Sequence, residues 1–271
     1  MKNEDFKKIC NIVYDKSGIN LKDGKEALVS ARISKRIRAL KLNDFDEYMH
    51  FLENDNTGEE VSSLIDVITT NVTSFFREKS SLDSAAEYLE KWIENSQKTI
   101  KIWSAACSSG EEPYTLAMII DDILKSKNKH FSDIKILATD ISTTILQKAI
   151  DGVYAKEKLE NIPPALKNRY FSKNSASRNC NLYKVNDVLR KYIIFRQFNL
   201  KTEQYPLKGP IDMIFCRNVM IYFDNETRAT IVKKMHDLLK PGGIFVVGNA
   251  ESLSGRTGNF KLIKPAVYIK Q

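Results

Sequence analysis

The stretch IKIWSAAC at residues 100–107 runs into SSGEEP at 108–113, then into a helical pattern, and then into IKILATD at 134–140. This order of strand, tight turn, helix and strand is typical of an α/β fold with a parallel sheet. Ligands of such folds bind outside the carboxyl ends of the strands, where Asp140 is placed to accept hydrogen bonds from two ribose hydroxyls. The stretch therefore indicates a site for an adenosine-containing cofactor.

The turn at 108–113 indicates which adenosine-containing cofactor this site binds. It contains one glycine, whereas a pyrophosphate is usually bound by several glycines whose backbone N–H groups approach it closely. Glu111 and Glu112 would repel a diphosphate but can accept from an ammonium or hydroxyl group. This favours S-adenosylmethionine over NAD or ATP. The alternative is that both acids merely occupy the first helical turn, where the helix dipole favours them.

Composition places bounds on the protein class. The 271 residues suffice for one large or two modest domains, and the four cysteines are scattered without a C-x-x-C pair. We therefore expect neither a disulfide framework nor a metal site. No run approaches the roughly 20 apolar residues of a membrane span, and the N-terminus lacks an apolar signal core. We expect a cytoplasmic protein without membrane insertion.

Periodicity along the chain predicts a small helical domain at 1–68, a linker at 69–90 and an α/β domain at 91–271. The helical domain contains an amphipathic basic helix near 28–41, whose polar face carries Arg32, Lys35, Arg36 and Arg38. This face and the net charge of +8 suit an acidic protein or a polyanion. A merely solvated helix face is the alternative. The predicted strands are 100–107, 134–140, 193–199, 211–217 and 243–249, with an edge hairpin at 260–269 and a small β insertion at about 168–192.

Five segments taken together resemble one family. They are TNVTSFFRE at 70–78, WSAA at 103–106, GEEPY at 110–114, FNL at 198–200 and IFCRNVMIYFD at 214–224. In this order they resemble the CheR family of chemotaxis receptor methyltransferases, and the resemblance covers nearly the whole chain.

The resemblance implies a Rossmann-like, S-adenosylmethionine-dependent methyltransferase of the α/β class. Its mostly parallel sheet would have an antiparallel edge strand, a small all-helical N-terminal domain would precede it, and it would carry a small β insertion. The implied reaction methylates glutamate side chains of chemoreceptor cytoplasmic helices to glutamyl methyl esters. Some members of the family bind a short peptide at the receptor's C-terminus through a glycine-rich loop of the insertion, but residues 172–181 contain no glycine.

The resemblance also implies roles for individual residues. Arg77 and Tyr222 would be catalytic, as groups that orient the reactants. The cofactor would be contacted by Asn71, Thr73, Arg77, Glu111, Glu112, Asp140, Asn199, Leu200, Asn218 and Val219. The substrate would be contacted by Arg32, Lys35, Arg36 and Arg38. Structural roles remain open for some of them: Asn71 and Thr73 as turn formers, and Tyr222 as a core tyrosine.

The implied chemistry needs no strong base. A glutamate has an ordinary pKa of about 4.3, so at neutral pH its side chain is already the nucleophilic anion. We expect chemoreceptor helices as partners, no nucleic acid and a monomer. The alternatives are a nucleic-acid methyltransferase, suggested by the positive charge, and a cofactor-binding sensor without catalysis, disfavoured because Arg77, Asp140 and Tyr222 are present.

Overall fold

The computed structural model of the protein describes residues 2–21, 24–129, 133–174, 181–253 and 259–271. The helices are α1 (Asn3–Ser17), α2 (Glu26–Leu40), α3 (Phe45–Glu53), α4 (Glu59–Ile68), α5 (Lys79–Glu94), α6 (Glu111–Ser126), α7 (Thr143–Asp151), α8 (Pro164–Tyr170), α9 (Asp187–Arg190) and α10 (Asn225–Leu238). The strands are β1 (Ile100–Ala105), β2 (Ile134–Asp140), β3 (Val153–Ala155), β4 (Phe171–Lys173), β5 (Leu182–Val185), β6 (Ile193–Gln197), β7 (Ile211–Cys216), β8 (Leu239–Val247), β9 (Phe260–Lys264) and β10 (Val267–Lys270).

Helices α1–α4 pack around a core of their own. Their apolar residues recur at helical spacing, so that Ile9, Ile33 and Leu64 from three different helices are completely buried together. The Asp55 carboxylate accepts from the backbone N–H groups of Glu60 at 2.8 Å and Val61 at 3.2 Å, and so satisfies free donors at the start of α4. This capping fixes where α4 begins.

Within the described residues, the main sheet has seven strands in the order β6-β2-β1-β7-β8-β10-β9. Strands β6, β2, β1, β7 and β8 run parallel, and β10 is antiparallel to both of its neighbours. The predicted α/β fold with an antiparallel edge is therefore confirmed. Since β1 and β2 are adjacent and parallel, their carboxyl ends lie side by side, where the predicted site is expected.

Several strand boundaries differ from the sequence-based expectation. Strand β6 ends at 197 rather than 199, β7 at 216 rather than 217, and β8 at 247 rather than 249. Strand β1 ends at Ala105 rather than 107 because the next residue, Ala106, has a left-handed backbone with φ 65°. Strand β8 begins at Leu239 rather than 243, since Leu239 is buried and already pairs with Ile211.

A separate three-stranded sheet has the order β3-β5-β4. Strand β3 precedes the range 168–192 expected for the insertion. It joins the sheet by antiparallel pairing with β5. Tyr154 of β3, Phe171 of β4 and the linker residue Phe75 pack beside this pairing as edge-to-face pairs with centroids 4.9–6.4 Å apart. The glycine-free loop overlaps residues 175–180, which lie outside the described residues.

Polar contacts join the helical domain to the α/β domain. The Asn199 amide donates to the Lys16 carbonyl at 2.6 Å, and the Tyr14 hydroxyl donates to Asp224 at 2.5 Å. On the other side, Asp66 of α4 accepts from the Thr144 hydroxyl at 2.6 Å.

Among the helices in the described ranges, none is long and apolar enough to cross a membrane.

Candidate functional site

A cavity of about 420 Å³ lies between the helical domain and the carboxyl ends of β1, β2 and β7. Its walls come from α2, the linker, the turn after β1, the end of β2, residues 198–200 and the segment after β7. This volume is within the range of about 300–1,000 Å³ that is typical of small-molecule sites. The cavity is therefore the candidate site.

The turn after β1 has an unusual backbone. Ala106, Ser108 and Gly110 all have left-handed φ values, of 65°, 51° and 94°. Only glycine adopts this region without strain, and a Cβ at Gly110 would lie 2.9 Å from the Ala149 Cβ. Strained backbone that concentrates at one place is characteristic of functional sites. Phe76 and Asn218, which also line the cavity, share this conformation, with φ 53° and 58°.

Asp140 ends β2 at the floor of the cavity and is 6% exposed. Its two carboxylate oxygens accept backbone N–H groups from Ser108 at 2.8 Å and Ser142 at 3.0 Å. Burial raises the pKa of Asp140, and these two hydrogen bonds oppose that shift. Each carboxylate oxygen has two lone pairs, so capacity remains for further donors such as hydroxyls.

The two predicted glutamates have different surroundings. Glu112 lines the cavity, and its carboxylate accepts from the Ser104 hydroxyl at 2.7 Å and from Arg217 at 3.0 Å. Glu111 does not line the cavity and is completely buried. Its Oε2 accepts from Ser109 at 2.6 Å, while its Oε1 has no hydrogen-bond partner among the described residues. Of the two, Glu112 is therefore placed to contact a bound molecule directly.

Arg217 is a buried cation that the motif-based interpretation left without a role. Besides Glu112, it donates to the Glu78 carboxylate at 3.1 Å and to the Arg77 carbonyl at 2.6 Å. Burial would raise the pKa of Glu78, but the hydrogen bond from Asn218 and the charge of Arg217 hold that pKa below its ordinary value. Arg217 thus ties the linker to the turn after β1 and to the end of β7.

Glu251 is a second site residue that the sequence did not reveal. Its carboxylate accepts the backbone N–H groups of Asn218 at 2.7 Å, Met220 at 2.8 Å and Gly248 at 2.7 Å. These bonds hold the segment after β7 against the end of β8. An isolated glutamate in a polar loop gives no local signal of this role.

The linker residues Asn71, Thr73 and Arg77 all line the cavity. Arg77 donates to the Val72 carbonyl at 2.8 Å, which folds the linker into a loop. The Thr73 carbonyl accepts from Lys158 at 3.1 Å, and Lys158 also lies 3.7 Å from the buried Glu111. Lys158 therefore holds the linker in place, and no motif pointed to it.

The remaining predicted cofactor and catalytic residues, Asn199, Leu200, Asn218, Val219 and Tyr222, also line the cavity. The Asn199 amide is already engaged with Lys16 and with the backbone N–H of Lys201, at 2.6 and 2.9 Å. Tyr222 accepts the Asn20 N–H through its carbonyl at 2.8 Å. Within the described part of the chain, no group hydrogen-bonds the Tyr222 hydroxyl.

The basic face of α2 is not free as a whole. Arg36 forms a two-pronged ion pair with the buried Glu60, and Arg32 donates to the Thr69 carbonyl at 3.0 Å and to the Thr70 hydroxyl at 3.1 Å. Lys35 and Arg38 are exposed. Of the four predicted substrate residues, Arg32 alone lines the cavity.

Charge is distributed unevenly along the chain. Residues 1–68 contain eleven Lys and Arg against thirteen Asp and Glu, which leaves a net charge of −2. Residues 148–191 contain ten Lys and Arg against four Asp and Glu, an excess of six. Residues 192–271 have an equal excess of six, with twelve Lys and Arg against six Asp and Glu, so the net charge of +8 comes from the second half of the chain and not from the helical domain.

Comparison with known proteins agrees with this architecture. Residues 71–269 match the family model described as the CheR methyltransferase, SAM binding domain, and residues 4–69 match the CheR methyltransferase, all-alpha domain. The chain is 36% identical to a chemotaxis protein methyltransferase of Borreliella burgdorferi over 98% of this chain and 94% of that protein. It is 37% identical to the chemotaxis protein methyltransferase of Escherichia coli over 97% of this chain and 89% of that protein. On this evidence, the chain belongs to the CheR methyltransferase family.

Proposed function

We propose that this protein transfers a methyl group from S-adenosylmethionine to glutamate side chains on the cytoplasmic helices of chemoreceptors, forming glutamyl methyl esters. One observation carries the proposal: a single cavity is lined by Asp140, Arg77 and Tyr222 and is closed on one side by the helical domain. The names of the relatives, chemotaxis protein methyltransferases, support it.

The residues of the cavity fit S-adenosylmethionine. Asp140 offers a buried carboxylate with spare acceptor capacity for the ribose hydroxyls, and Glu112 offers a carboxylate for the ammonium group. Leu200 and Val219 supply apolar surface for the adenine. The turn after β1 has one glycine, so this turn does not form the glycine-rich backbone cradle that holds a diphosphate.

When bound, S-adenosylmethionine supplies a methyl group on a positively charged sulfur. The chain's own residues have to align the target carboxylate and exclude water, which would otherwise solvate both ions and oppose their neutralisation. Arg77 is placed in the cavity wall as a cation that can orient the incoming carboxylate. Tyr222 lines the same cavity, and since no group in the described residues hydrogen-bonds its hydroxyl, that hydroxyl can donate to the incoming carboxylate.

The direct test incubates the purified protein with methyl-labelled S-adenosylmethionine and a receptor cytoplasmic domain. We expect label on the receptor that mild base releases as methanol, because carboxyl methyl esters hydrolyse where methylated amines do not. Receptor domain whose accepting glutamates are replaced by glutamine serves as the control and should take no label. Structured RNA in place of the receptor tests the nucleic-acid alternative, and base-stable label on RNA with none on the receptor would overturn the proposal.

A further inference from the structure

The last turn of α1 is capped by two residues of the α/β domain. The Lys201 ammonium group donates to the Tyr14 carbonyl at 2.7 Å and to the Asp15 carbonyl at 2.9 Å. The Asn199 amide donates to the next carbonyl, that of Lys16, at 2.6 Å. The last carbonyls of a helix have few partners within the helix, so donors from elsewhere stabilise its end. We call Asn199 and Lys201 together the interdomain cap.

The charge of Lys201 suits this position. The C-terminus of a helix carries a partial negative charge, which favours a cation. The Lys201 ammonium group also lies 4.6 Å from the centroid of the Tyr14 ring, within the distance of a cation–π contact. The Tyr14 hydroxyl in turn donates to Asp224, so two separate parts of the α/β domain hold this one residue of α1.

The interdomain cap joins two walls of the cavity. Residues 198–200 line the cavity from the α/β domain, and Ser17 and residues 19–21, which follow the capped turn, line it from the helical domain. The Asn199 side-chain oxygen accepts the backbone N–H of Lys201 at 2.9 Å, which holds the two cap residues in one turn. Lys201 is half-buried and does not itself line the cavity. It therefore connects the two walls from outside the site.

We propose that Lys201 is a positioning residue for the cofactor, which holds residues 198–200 in the conformation that binds the adenosine part of S-adenosylmethionine. By the same contacts, cofactor binding is coupled to the docking of α1 on the α/β domain. This inference rests on the proposed function, in which the cavity binds S-adenosylmethionine, and it specifies how the helical domain contributes to that binding.

Preorganisation explains the effect on affinity. A loop that becomes ordered only when the ligand binds reduces the affinity, whereas a loop that is already held in place does not. Such coupling is reciprocal: if the docked α1 strengthens cofactor binding, the bound cofactor stabilises the docked α1 by the same factor. The last turn of α1 should therefore open less often when the cofactor is bound.

The test compares Lys201→Met with Lys270→Met. Lys270 is the matched control because it is also half-buried and also caps a helix, donating to the His236 and Leu239 carbonyls at 2.7 and 2.8 Å at the end of α10. Like Lys201 it lies outside the cavity lining. The two variants therefore lose the same kind of contact, but only one of them changes the walls of the cavity.

We expect Lys201→Met to raise the calorimetric Kd for S-adenosylhomocysteine, and KM for S-adenosylmethionine, by about fivefold or more. Its kcat at saturating cofactor should stay within about twofold of wild type, because the reacting groups are unchanged. Lys270→Met should leave Kd and KM within about twofold. Lys201→Arg, which keeps the charge and the donors, should restore both values.

Hydrogen exchange tests the reciprocal effect in the wild-type protein. Residues 11–16 belong to α1 and do not line the cavity, so a bound molecule does not protect them by direct contact. Saturating S-adenosylhomocysteine should slow exchange of their amides by about the same factor as the change in Kd. Residues 232–237, at the end of α10, should show no such slowing, and neither should residues 11–16 in Lys201→Met.

Each result decides the inference. Equal Kd values for Lys201→Met and Lys270→Met overturn it while the proposed function stands, and so does unchanged exchange at residues 11–16 in wild type. If circular dichroism shows that Lys201→Met does not fold, Lys201→Arg and the wild-type exchange experiment decide. If wild type binds S-adenosylhomocysteine with these effects but labels no receptor glutamate, the proposed substrate is wrong and this inference stands. If wild type does not bind S-adenosylhomocysteine, both fail.

Discussion

The Arg217 guanidinium donates a hydrogen bond to the Glu112 carboxylate at 3.0 Å, and the two residues are 105 positions apart in the chain. The Arg217 side chain is 3% exposed, and its second carboxylate partner is Glu78. The contact therefore joins the end of β7, the start of α6 and the linker at the wall of the cavity. Three segments that carry predicted site residues are positioned by one buried cation.

Replacing this cation should destabilise the protein. Arg217→Met keeps much of the side-chain volume but leaves Glu78 and Glu112 without their counterion, and breaking a buried ion pair in this way costs about 3 kcal/mol or more. Urea unfolding measures the loss. Arg196→Met is the control, because Arg196 is exposed and its one hydrogen bond within the described residues goes to the neighbouring Phe195 carbonyl. Its effect should stay within about 0.5 kcal/mol, and an equal loss in both variants would contradict a special role for Arg217.

The contribution of Glu78 to stability should depend on pH. Although burial opposes it, Asn218 and Arg217 hold the pKa of Glu78 below its ordinary value, so folding favours the charged form. That stabilisation is present above the unfolded pKa of about 4.3 and is lost as the pH falls through the folded value. The difference in unfolding free energy between wild type and Glu78→Gln should therefore be larger at pH 7 than at pH 3.

The exposed Glu87, which pairs with Lys264 at 2.8 Å, gives the matching control. Glu87→Gln should show little difference between the two pH values, because surface ion pairs contribute little. A Glu78→Gln effect that is as large at pH 3 as at pH 7 would contradict the assignment.

Asp140→Ala should weaken binding of S-adenosylhomocysteine at least tenfold. Hydrogen bonds to a charged group contribute about 1.5–3 kcal/mol each, and 1.4 kcal/mol corresponds to a factor of ten in affinity. Calorimetry measures the Kd, and circular dichroism checks that the variant is folded. Asp133→Ala, which lies just before the opposite end of the same strand, should bind normally. Unchanged affinity in folded Asp140→Ala protein would remove Asp140 from the ribose site.

Arg77→Ala should lose most methyl-transfer activity and keep its fold. Arg77 lines the cavity, whereas the nearby Lys79 is exposed and pairs with Asp83 at 2.9 Å. Lys79→Ala is therefore the matched control. If kcat of Arg77→Ala stays within about threefold of the control, a difference below ~0.7 kcal/mol in the barrier, Arg77 only shapes the linker.

On α2, we expect one residue to contribute to stability and others to contribute to substrate recognition. Arg36→Ala leaves Glu60, which is 4% exposed, without its ion-pair partner and should cost about 1–3 kcal/mol of unfolding free energy. Lys35→Glu/Arg38→Glu changes two exposed charges and should leave stability within about 0.5 kcal/mol. If this face steers an acidic substrate, the double variant raises KM for the receptor domain at low salt and has little effect at high salt. If the double variant and the wild type have the same KM at low salt and also at high salt, the face is merely solvated.

Local sequence was sufficient for much of the fold. The strand patterns at 134–140 and 211–217 match β2 and β7 closely, and the helical spacing in residues 1–68 matches α1–α4. These elements were predictable because burial of one helix face or of a whole strand makes apolar residues recur at a regular spacing along the local sequence. Gly110 and Asp140 could also be identified as site residues from local sequence, because a tight turn and a strand end restrict which residue types can occupy them.

Contacts between distant residues were not predictable. Arg36 looks like part of a free basic face in a helical projection, but 24 positions later the buried Glu60 binds its guanidinium. Strand β3 joins the small sheet by pairing with β5, about thirty positions later, and its Tyr154 packs on Phe75 and Phe171.

The order of helices and strands, the family, and the segments from which the site is built were all predictable from the residue pattern. The folded arrangement was needed to see that Glu112, rather than Glu111, faces the cavity, and that Arg217 and Glu251 hold its walls. Secondary structure and turns depend on residues a few positions apart, whereas the partner of a buried charge is set by how the elements pack. Three-dimensional packing brings Arg217 to Glu112 across 105 positions, and no pattern within either segment encodes that distance.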